Sequence, residues 1–234
     1  MVLYIKGHLN VNLTGFLKDF KANLKKNMID IVIPTCKLKE TVIQQIEEIE
    51  KNTLEEHRIV ASCIFASAAI NRNYVHAKTT EEFVIMLDDD MTGFYPGWEL
   101  DMILPLKENK DIYFSSARLL KPDRTLGFMM TSKRNTLEDL EEVPRIPTAC
   151  FAYRRKEMDE LIGFHNETSL PFDIMFKGSG WEDNGVCYDL KKRFPKAKIV
   201  INNNCQLIHI NEEKEQKKYL AKNKEYFFST RTER

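Results

Sequence analysis

Apolar positions along the chain follow two alternating rhythms. Compact aliphatic runs occur at "VLYIKG" (2–7), "IDIVIPT" (29–35), "HRIVASCIF" (57–65) and "FVIML" (83–87). Ile29 to Ile33 form a β-branched run stopped by Pro34, the pattern of a strand buried on both faces. Between these runs, apolar residues recur every three or four positions. Leu13, Phe16, Leu17, Phe20 and Leu24 predict one helix, closed by a lysine-rich turn, and Leu38, Val42, Ile46 and Ile49 predict another. "ASAAINRNYVHAKT" (66–79) reads as a third helix, leading into "FVIML". Strands alternating with helices predict an α/β domain with a largely parallel central sheet.

The second half is more mixed. "GWELDMILPLKEN" predicts a helix, "DIYFSSARLL" a strand, and "TACFAYRRKEMDELIGF" a strand running into a helix. Val186, Leu190 and Phe194 give "WEDNGVCYDLKKRF" a helical period, "AKIVINNNCQLIHI" supplies one or two strands, and the charged tail "EEKEQKKYLAKNKEYFF" predicts a helix across the surface. There is no internal repeat and no low-complexity linker, so residues 1–234 are expected to form a single domain.

Composition narrows the class only a little. The 234 residues are 43% hydrophobic and 30% charged, ordinary for a globular chain and unlike a disordered one. Lys plus Arg and Asp plus Glu are 35 each, so charge gives no pull towards nucleic acid or an anionic membrane. Cys36, Cys63, Cys150, Cys187 and Cys205 are scattered without CxxC pairs, which reads as free thiols in a reducing compartment. No apolar stretch nears the roughly 20 residues needed to span a bilayer, and the first apolar run is too short for a signal peptide. A cytoplasmic protein without a membrane anchor is expected.

The chemistry concentrates where "FVIML" ends on Asp88, Asp89 and Asp90. Ligands of open parallel sheets bind outside the carboxyl ends of the strands. Three adjacent carboxylates repel one another there, and a hard divalent cation facing phosphate oxygens relieves that repulsion. Taken alone, the triplet reads equally well as a solvated acidic turn.

The order of pieces separates the two readings. "IDIVIPT", "ASAAINRNYVHA", "FVIMLDDD", "ACFAYRRKEMDELIGFHNE", "GSGWEDNGVCYDLKKRF" and "LIHI" follow one another over roughly residues 29 to 210. This succession resembles the GT-A glycosyltransferases, in particular the family-two-like group that uses nucleotide-diphosphate sugars. The resemblance implies a GT-A, Rossmann-like α/β fold: a mostly parallel central sheet flanked by helices, with a mixed acceptor-side half. It implies a nucleotide-sugar-binding half at about 29–118, an acceptor and catalytic half at about 119–210, and a C-terminal helix at 211–234.

The same resemblance assigns roles. Asp88 and Asp90 bridge the donor diphosphate through Mn²⁺ or Mg²⁺, Asp89 shares in that or in donor binding, and His209 of "LIHI" completes the metal site. Pro34 and Thr35 open the nucleotide loop, and Asn71, Arg72 and Asn73 match a segment whose arginine approaches the donor phosphates. In "GWEDN", Asp183 becomes the general base of an inverting reaction, Glu182 positions a sugar, and Trp181 offers an apolar face to the acceptor. Read from residue type alone, His209 also fits a strand histidine satisfied by backbone, Arg72 a surface charge, and the two acids a helix N-terminal turn complementing its dipole. One departure stands out. Family members carry a "DDGS"-like acidic motif after the second strand, whereas this chain has "RIVASCIFASAAINRN", so the base pocket is expected to be abbreviated or built differently, and uridine specificity is open.

The expected function is therefore a metal-dependent, inverting glycosyltransferase with a nucleotide-diphosphate sugar donor, a UDP-sugar first. The acceptor is a hydroxyl on a glycan, a protein or a modified nucleobase. The alternatives are a phage-type transferase acting on hydroxymethylated DNA bases, in the host cytoplasm, and an inactive nucleotide- or cation-binding module. Retention of both "DDD" and "ED" argues against inactivity, and the absence of a Gly-rich signature loop argues against a sugar nucleotidyltransferase.

Overall fold

The computed structural model describes residues 2–7, 28–36, 39–127, 138–161, 170–210 and 217–231. The helix expected over Leu13 to Leu24 lies outside the described residues, as do residues 128–137. Among the described residues nine strands join one sheet: β1 (Val2–Gly7), β2 (Ile29–Thr35), β3 (His57–Cys63), β4 (Phe83–Leu87), β5 (Met91–Thr92), β6 (Ile112–Leu120), β7 (Leu140–Glu142), β8 (Cys150–Arg154) and β9 (Lys198–His209). The described helices are α1 (Glu40–Asn52), α2 (Ala68–His76), α3 (Trp98–Glu108), α4 (Arg155–Asp159), α5 (Glu182–Arg193) and α6 (Lys217–Arg231).

The sheet order is β1-β3-β2-β4-β8-β6-β9-β5, with β7 on β9. β2 pairs in parallel with β3 and β4, and β6 pairs in parallel with β9. β8 is inserted antiparallel between β4 and β6, and the short or outer strands β1, β5 and β7 also run antiparallel to their neighbours. The main strands thus share one direction, with the mixed character confined to the second half and the rim. The short pairings β5 and β7 have no periodic signal of their own, because two or three residues cannot display one.

Alternation along the central strands explains the layering. Ile31, Ile33, Ile59, Ala61, Ile85 and Leu87 face one side, where they bury Val42, Ile46 and Ile49 of α1 and Trp98, Met102 and Ile103 of α3. Val32, Val60, Val84 and Met86 face the other, against Ala69 and Val75 of α2 and Val186, Cys187 and Leu190 of α5. An aromatic group of Phe114, Phe151, Tyr153 and Phe172 fills the second layer, with Phe151 and Tyr153 stacked at 5.3 Å between ring centroids. Truncating a buried aromatic such as Phe151 costs about 3–5 kcal/mol.

"AKIVINNNCQLIHI" forms one strand of twelve residues rather than two. Its register against β6 jumps between Ala117↔Asn202 and Arg118↔Gln206. The asparagines hold that irregularity: Asn202 donates to the Asp101 carbonyl at 2.6 Å, and Asn203 donates to the Glu138 carbonyl at 2.7 Å. Beyond the jump, His209 pairs with Met91 of β5, immediately after the aspartate triplet.

Candidate active site

β4 delivers Asp88 at its carboxyl end, and the backbone there is fixed from both sides. The Asp88 N–H donates to the Ala149 carbonyl at 2.7 Å, and Gln45 of α1 donates to the Asp88 carbonyl at 2.9 Å. The Ile210 N–H donates to the Asp90 carbonyl at 3.0 Å, which ties the triplet to the end of β9. The result is a cluster of Asp88, Asp90 and His209 whose ligand-type atoms all lie within 4.8 Å of one another. His209 Nε2 is 3.0 Å from Asp90 Oδ1 and 3.9 Å from Asp88 Oδ2. Ligands about 2.1 Å from a common Mg²⁺-sized ion in octahedral geometry stand about 3.0 Å apart when adjacent and about 4.2 Å when opposite. The two carboxylates and the imidazole therefore fit a divalent cation with little movement.

Without a cation the cluster relieves itself by protons and hydrogen bonds. Burial raises the Asp88 carboxyl above the usual carboxylate range. Arg72 and His209 oppose that rise, and Asp90 and Asp89 add to it. Burial disfavours the His209 cation, but its close contact with Asp90 and the charges of Asp88 and Asp90 outweigh this and hold its pKa above the ordinary value. A metal ligand must be neutral imidazole, so a proton and a cation compete for this side chain. Asp89 points elsewhere: Thr35 at the end of β2 donates its hydroxyl to Asp89 Oδ2 at 2.5 Å.

Arg72 was the residue whose place the sequence left most open. It is buried, on α2, and its guanidinium spans the site. Nη2 donates to Asp88 Oδ1 at 2.7 Å, and Nη1 donates to Glu182 Oε1 at 2.6 Å. Burial works against the charge, but Asp88, Glu182 and Asp183 more than compensate, and Arg72 stays protonated. The two acidic motifs, 94 positions apart between Asp88 and Glu182, meet through this one side chain. Arg72 Nε and Glu182 Oε2 are buried without a hydrogen-bond partner among the described residues. Asn71 donates weakly to the Ala66 carbonyl at 3.4 Å and leaves its buried Oδ1 unpartnered, while Asn73 exchanges both amide bonds with the backbone of Phe172, at 2.6 and 2.9 Å. Asn73 thus works as a strut for the Phe172 segment. Pro34 is half-buried next to Thr35 at the end of β2.

Glu182 and Asp183 begin α5, as the sequence suggests, but their surroundings differ from expectation. The dipole of the helix that they begin favours an ionised Asp183. Burial instead pushes its carboxyl up to about 7, with Glu182 adding to the rise, while the Asn184 N–H, Arg72 and Arg145 oppose it. Only 8% of Asp183 is exposed, and desolvation of the carboxylate outweighs the donors around it. Asn184 donates to Asp183 Oδ1 from its backbone at 2.7 Å and from its side chain at 2.9 Å.

The loop before α5 is held by the C-terminal helix, whose part in the site the sequence did not reveal. Asn223 accepts from the Lys177 N–H at 3.0 Å and donates to the carbonyls of Lys177 and Gly180, both at 2.8 Å. Arg231 bonds Asp189 of α5 at 2.9 Å and Asp173 at 3.0 Å, both buried. Trp181 has φ 74°, a conformation that L side chains rarely adopt, and packs on Phe227 and Phe228 at 5.3 and 5.6 Å. Gly178 at φ +62° passes so close to α6 that a Cβ there would meet the Tyr219 ring at 2.5 Å. Rather than lying loosely across the surface, α6 buries Asn223 and Arg231.

No family model and no curated protein matches the chain. Solved structures do resemble it. A crystal structure of GalNAc-T7 with UDP, GalNAc and Mn²⁺ superposes with a TM-score of 0.62 at 12% identity, covering 87% of this chain and 47% of that one. Glucosyl-3-phosphoglycerate synthase from Mycobacterium tuberculosis, in complex with Mg²⁺ and UDP, gives 0.55 at 16% identity, covering 92% and 82%. A further mycobacterial protein gives 0.53 at 16% identity, covering 85% and 71%. The chain thus spans about half the length of the GalNAc-T7 chain. At these identities the likeness is one of architecture: the protein has the GT-A fold. Among the described residues, no helix is long and apolar enough to cross a membrane.

Proposed function

We propose that this protein is a metal-dependent glycosyltransferase that moves a sugar from a nucleotide-diphosphate donor to an acceptor hydroxyl with inversion at the anomeric carbon. The observation that carries this reading is the convergence of Asp88, Asp90 and His209 on one point, joined through Arg72 to the acids of "WED". The neighbours crystallised with UDP and Mn²⁺ or Mg²⁺ support the same donor chemistry, with a UDP-sugar first. In this reading residues 29–118 bind the donor and 119–210 serve the acceptor and catalysis.

Asp88, Asp90 and His209 would hold Mn²⁺ or Mg²⁺ against the donor diphosphate. A bound cation supplies Lewis-acid stabilisation of the charge that gathers on the departing diphosphate. Arg72 keeps Asp88 and Glu182 in register, and Glu182 Oε2, buried and without a hydrogen-bond partner among the described residues, would accept from a sugar hydroxyl. Asp183 takes the acceptor's proton as its oxygen bonds to the anomeric carbon and the sugar–phosphate bond breaks. A carboxylate with a pKa of about 7 is matched to that task, because a stronger base results without losing the ionised fraction at neutral pH. Trp181, beside it, offers the acceptor an apolar edge. The five free thiols support a reducing, cytoplasmic setting.

The test is a panel of nucleotide sugars with Mn²⁺, reading nucleotide release and, by proton NMR, the anomeric configuration of the product. Release from at least one donor with inverted product is expected. Retained configuration would remove Asp183 from the role of base, and no binding of any nucleotide with Mn²⁺ would remove the whole reading.

A further inference from the structure

The segment between β7 and β8, residues 143–149, carries a chain of contacts that ends on Asp183. It is anchored at both sides of Arg145. The Val143 N–H donates to the Ile199 carbonyl at 2.9 Å, and Glu142 lies 3.7 Å from Lys191 of α5. Ile146 is buried in the same core layer as Val186 and Cys187 of α5. Arg145 between them is exposed, and its Nη1 donates to Asn184 Oδ1 at 2.5 Å.

That bond settles which way the Asn184 amide faces. With its oxygen turned to the guanidinium, its nitrogen turns to Asp183 and donates to Oδ1 at 2.9 Å, beside the 2.7 Å bond from the Asn184 backbone N–H. A flipped amide would set oxygen against a carboxylate oxygen and face Arg145 with a second donor. Both donations to Asp183 fall on Oδ1. Arg72, the other cation nearby, directs its donors to Asp88 and Glu182 instead. Among the described residues no hydrogen bond reaches Asp183 Oδ2, so the two oxygens of this carboxyl are not equivalent.

We propose that Asn184, oriented by Arg145, is a positioning residue for Asp183: it engages Oδ1 and leaves Oδ2 as the atom that takes the acceptor's proton. The inference rests on the transferase reading above and deepens it at the base. The proton passes from the acceptor hydroxyl to Oδ2 as the acceptor oxygen bonds to the anomeric carbon. The electron pair of the breaking sugar–phosphate bond leaves with the diphosphate. Donation to Oδ1 also favours the charged form of the carboxyl, against the burial that raises it. Glu182 and Cys187 from α5, Arg72 from α2 and Arg145 are the titratable and charged groups that face Asp183 among the described residues.

Two measurements on the full chain test this. One is the titration of the Asp183 carboxyl by carbon-13 NMR without ligand, its signal assigned by its loss in Asp183→Asn. The other is the pH profile of turnover with Mn²⁺ and the nucleotide sugar that the panel identifies. In Asn184→Ala the carboxyl pKa should rise by about one to two pH units, the worth of a hydrogen bond to a charged group, and the rising limb of turnover should move with it. Asn184→Asp keeps the size of the side chain but cannot donate when ionised, so it should raise both at least as far. Wild-type values in that variant would mark a packing role and overturn the proposal. Arg145→Gln, at an exposed position, should fold normally and shift both in the same direction by less. A carboxyl that titrates unchanged in all three variants overturns the proposal and spares the transferase reading. A carboxyl that shifts while the turnover limb stays in place removes Asp183 as the base, and the positioning role falls with it. A chain that turns over no nucleotide sugar removes both.

Discussion

The two acidic motifs flank Arg72 as two walls of the candidate site and are held in opposite ways. Asp88 to Asp90 follow directly from a fully buried parallel strand, and their backbone is pinned by the adjacent α1, β8 and β9. Glu182 and Asp183 follow a loop with three positive-φ residues in four, Gly178, Gly180 and Trp181, kept in place by a helix some 40 residues further along. The carboxylates on the first wall share their charge with His209 and Arg72, whereas Asp183 on the second is raised to about 7 by burial. In the proposed reading the rigid wall would hold a cation at fixed distances, and the desolvated carboxylate would take the acceptor's proton at some cost in stability.

The largest expected effect divides the walls by function. Asp183→Asn keeps shape but removes the proton acceptor, so turnover should fall by about a hundredfold to ten-thousandfold while Mn²⁺-dependent UDP affinity survives. Steady-state kinetics beside calorimetry check this, and near-normal turnover would dissolve the contrast.

Arg72 joins the walls, and its removal should damage both. Arg72→Ala leaves Glu182 buried without its counter-charge, a loss of about 3–5 kcal/mol in unfolding free energy, readable by urea denaturation. A drop under about 1 kcal/mol would mean that the pair is solvated rather than buried.

On the first wall, Asp88→Asn and Asp90→Asn should each weaken Mn²⁺-dependent UDP binding by more than the roughly 10–100-fold seen when only an outer partner of a metal ligand is lost. His209→Ala should weaken binding only with metal present. Equal loss without metal would mark damage to β9 instead.

The second wall has its own signature in pH. Below about pH 4, Asp183 is protonated both folded and unfolded and costs nothing. As pH rises towards about 7 the unfolded chain sheds this proton first, so folding is progressively penalised, and above about 7 the penalty is complete. Asp183→Asn should therefore exceed wild type in unfolding free energy at pH 8, by an amount on the order of a few kcal/mol, and be about equal to it at pH 4. Turnover of the wild type should rise through pH 7 in the same window.

The smallest effect tests the loop's support. Asn223→Ala removes three hydrogen bonds to Lys177 and Gly180 at a net cost of roughly 1–3 kcal/mol, and should lower turnover more than UDP affinity, because the loop carries Asp183 and not the metal site.

Local physics wrote much of this molecule into its sequence. The compact apolar runs at Ile29–Ile33 and Phe83–Leu87 carry the pattern of buried strands, their parallel pairing follows from the helices between them, and a carboxylate triplet at a strand end is legible wherever the strand is. His209 was reachable only through the order of segments that resembles the GT-A glycosyltransferases, since a strand histidine by itself reads equally well as satisfied by backbone. Its distance of 3.0 Å from Asp90, however, depends on a register jump in β9 that no period announces. Tertiary structure alone decided the rest. Arg72 looks like any helix arginine until folding brings Asp88 and Glu182 to it. Asn223 and Arg231 sit in a charged tail whose apolar period is weak, and only their partners, Gly180 and Asp189, give them meaning. The pKa of Asp183 belongs to this second kind: a helix N-terminus favours its charge in any sequence, but the depth of burial that overrides it is set by how the sheet, α5 and α6 close around it.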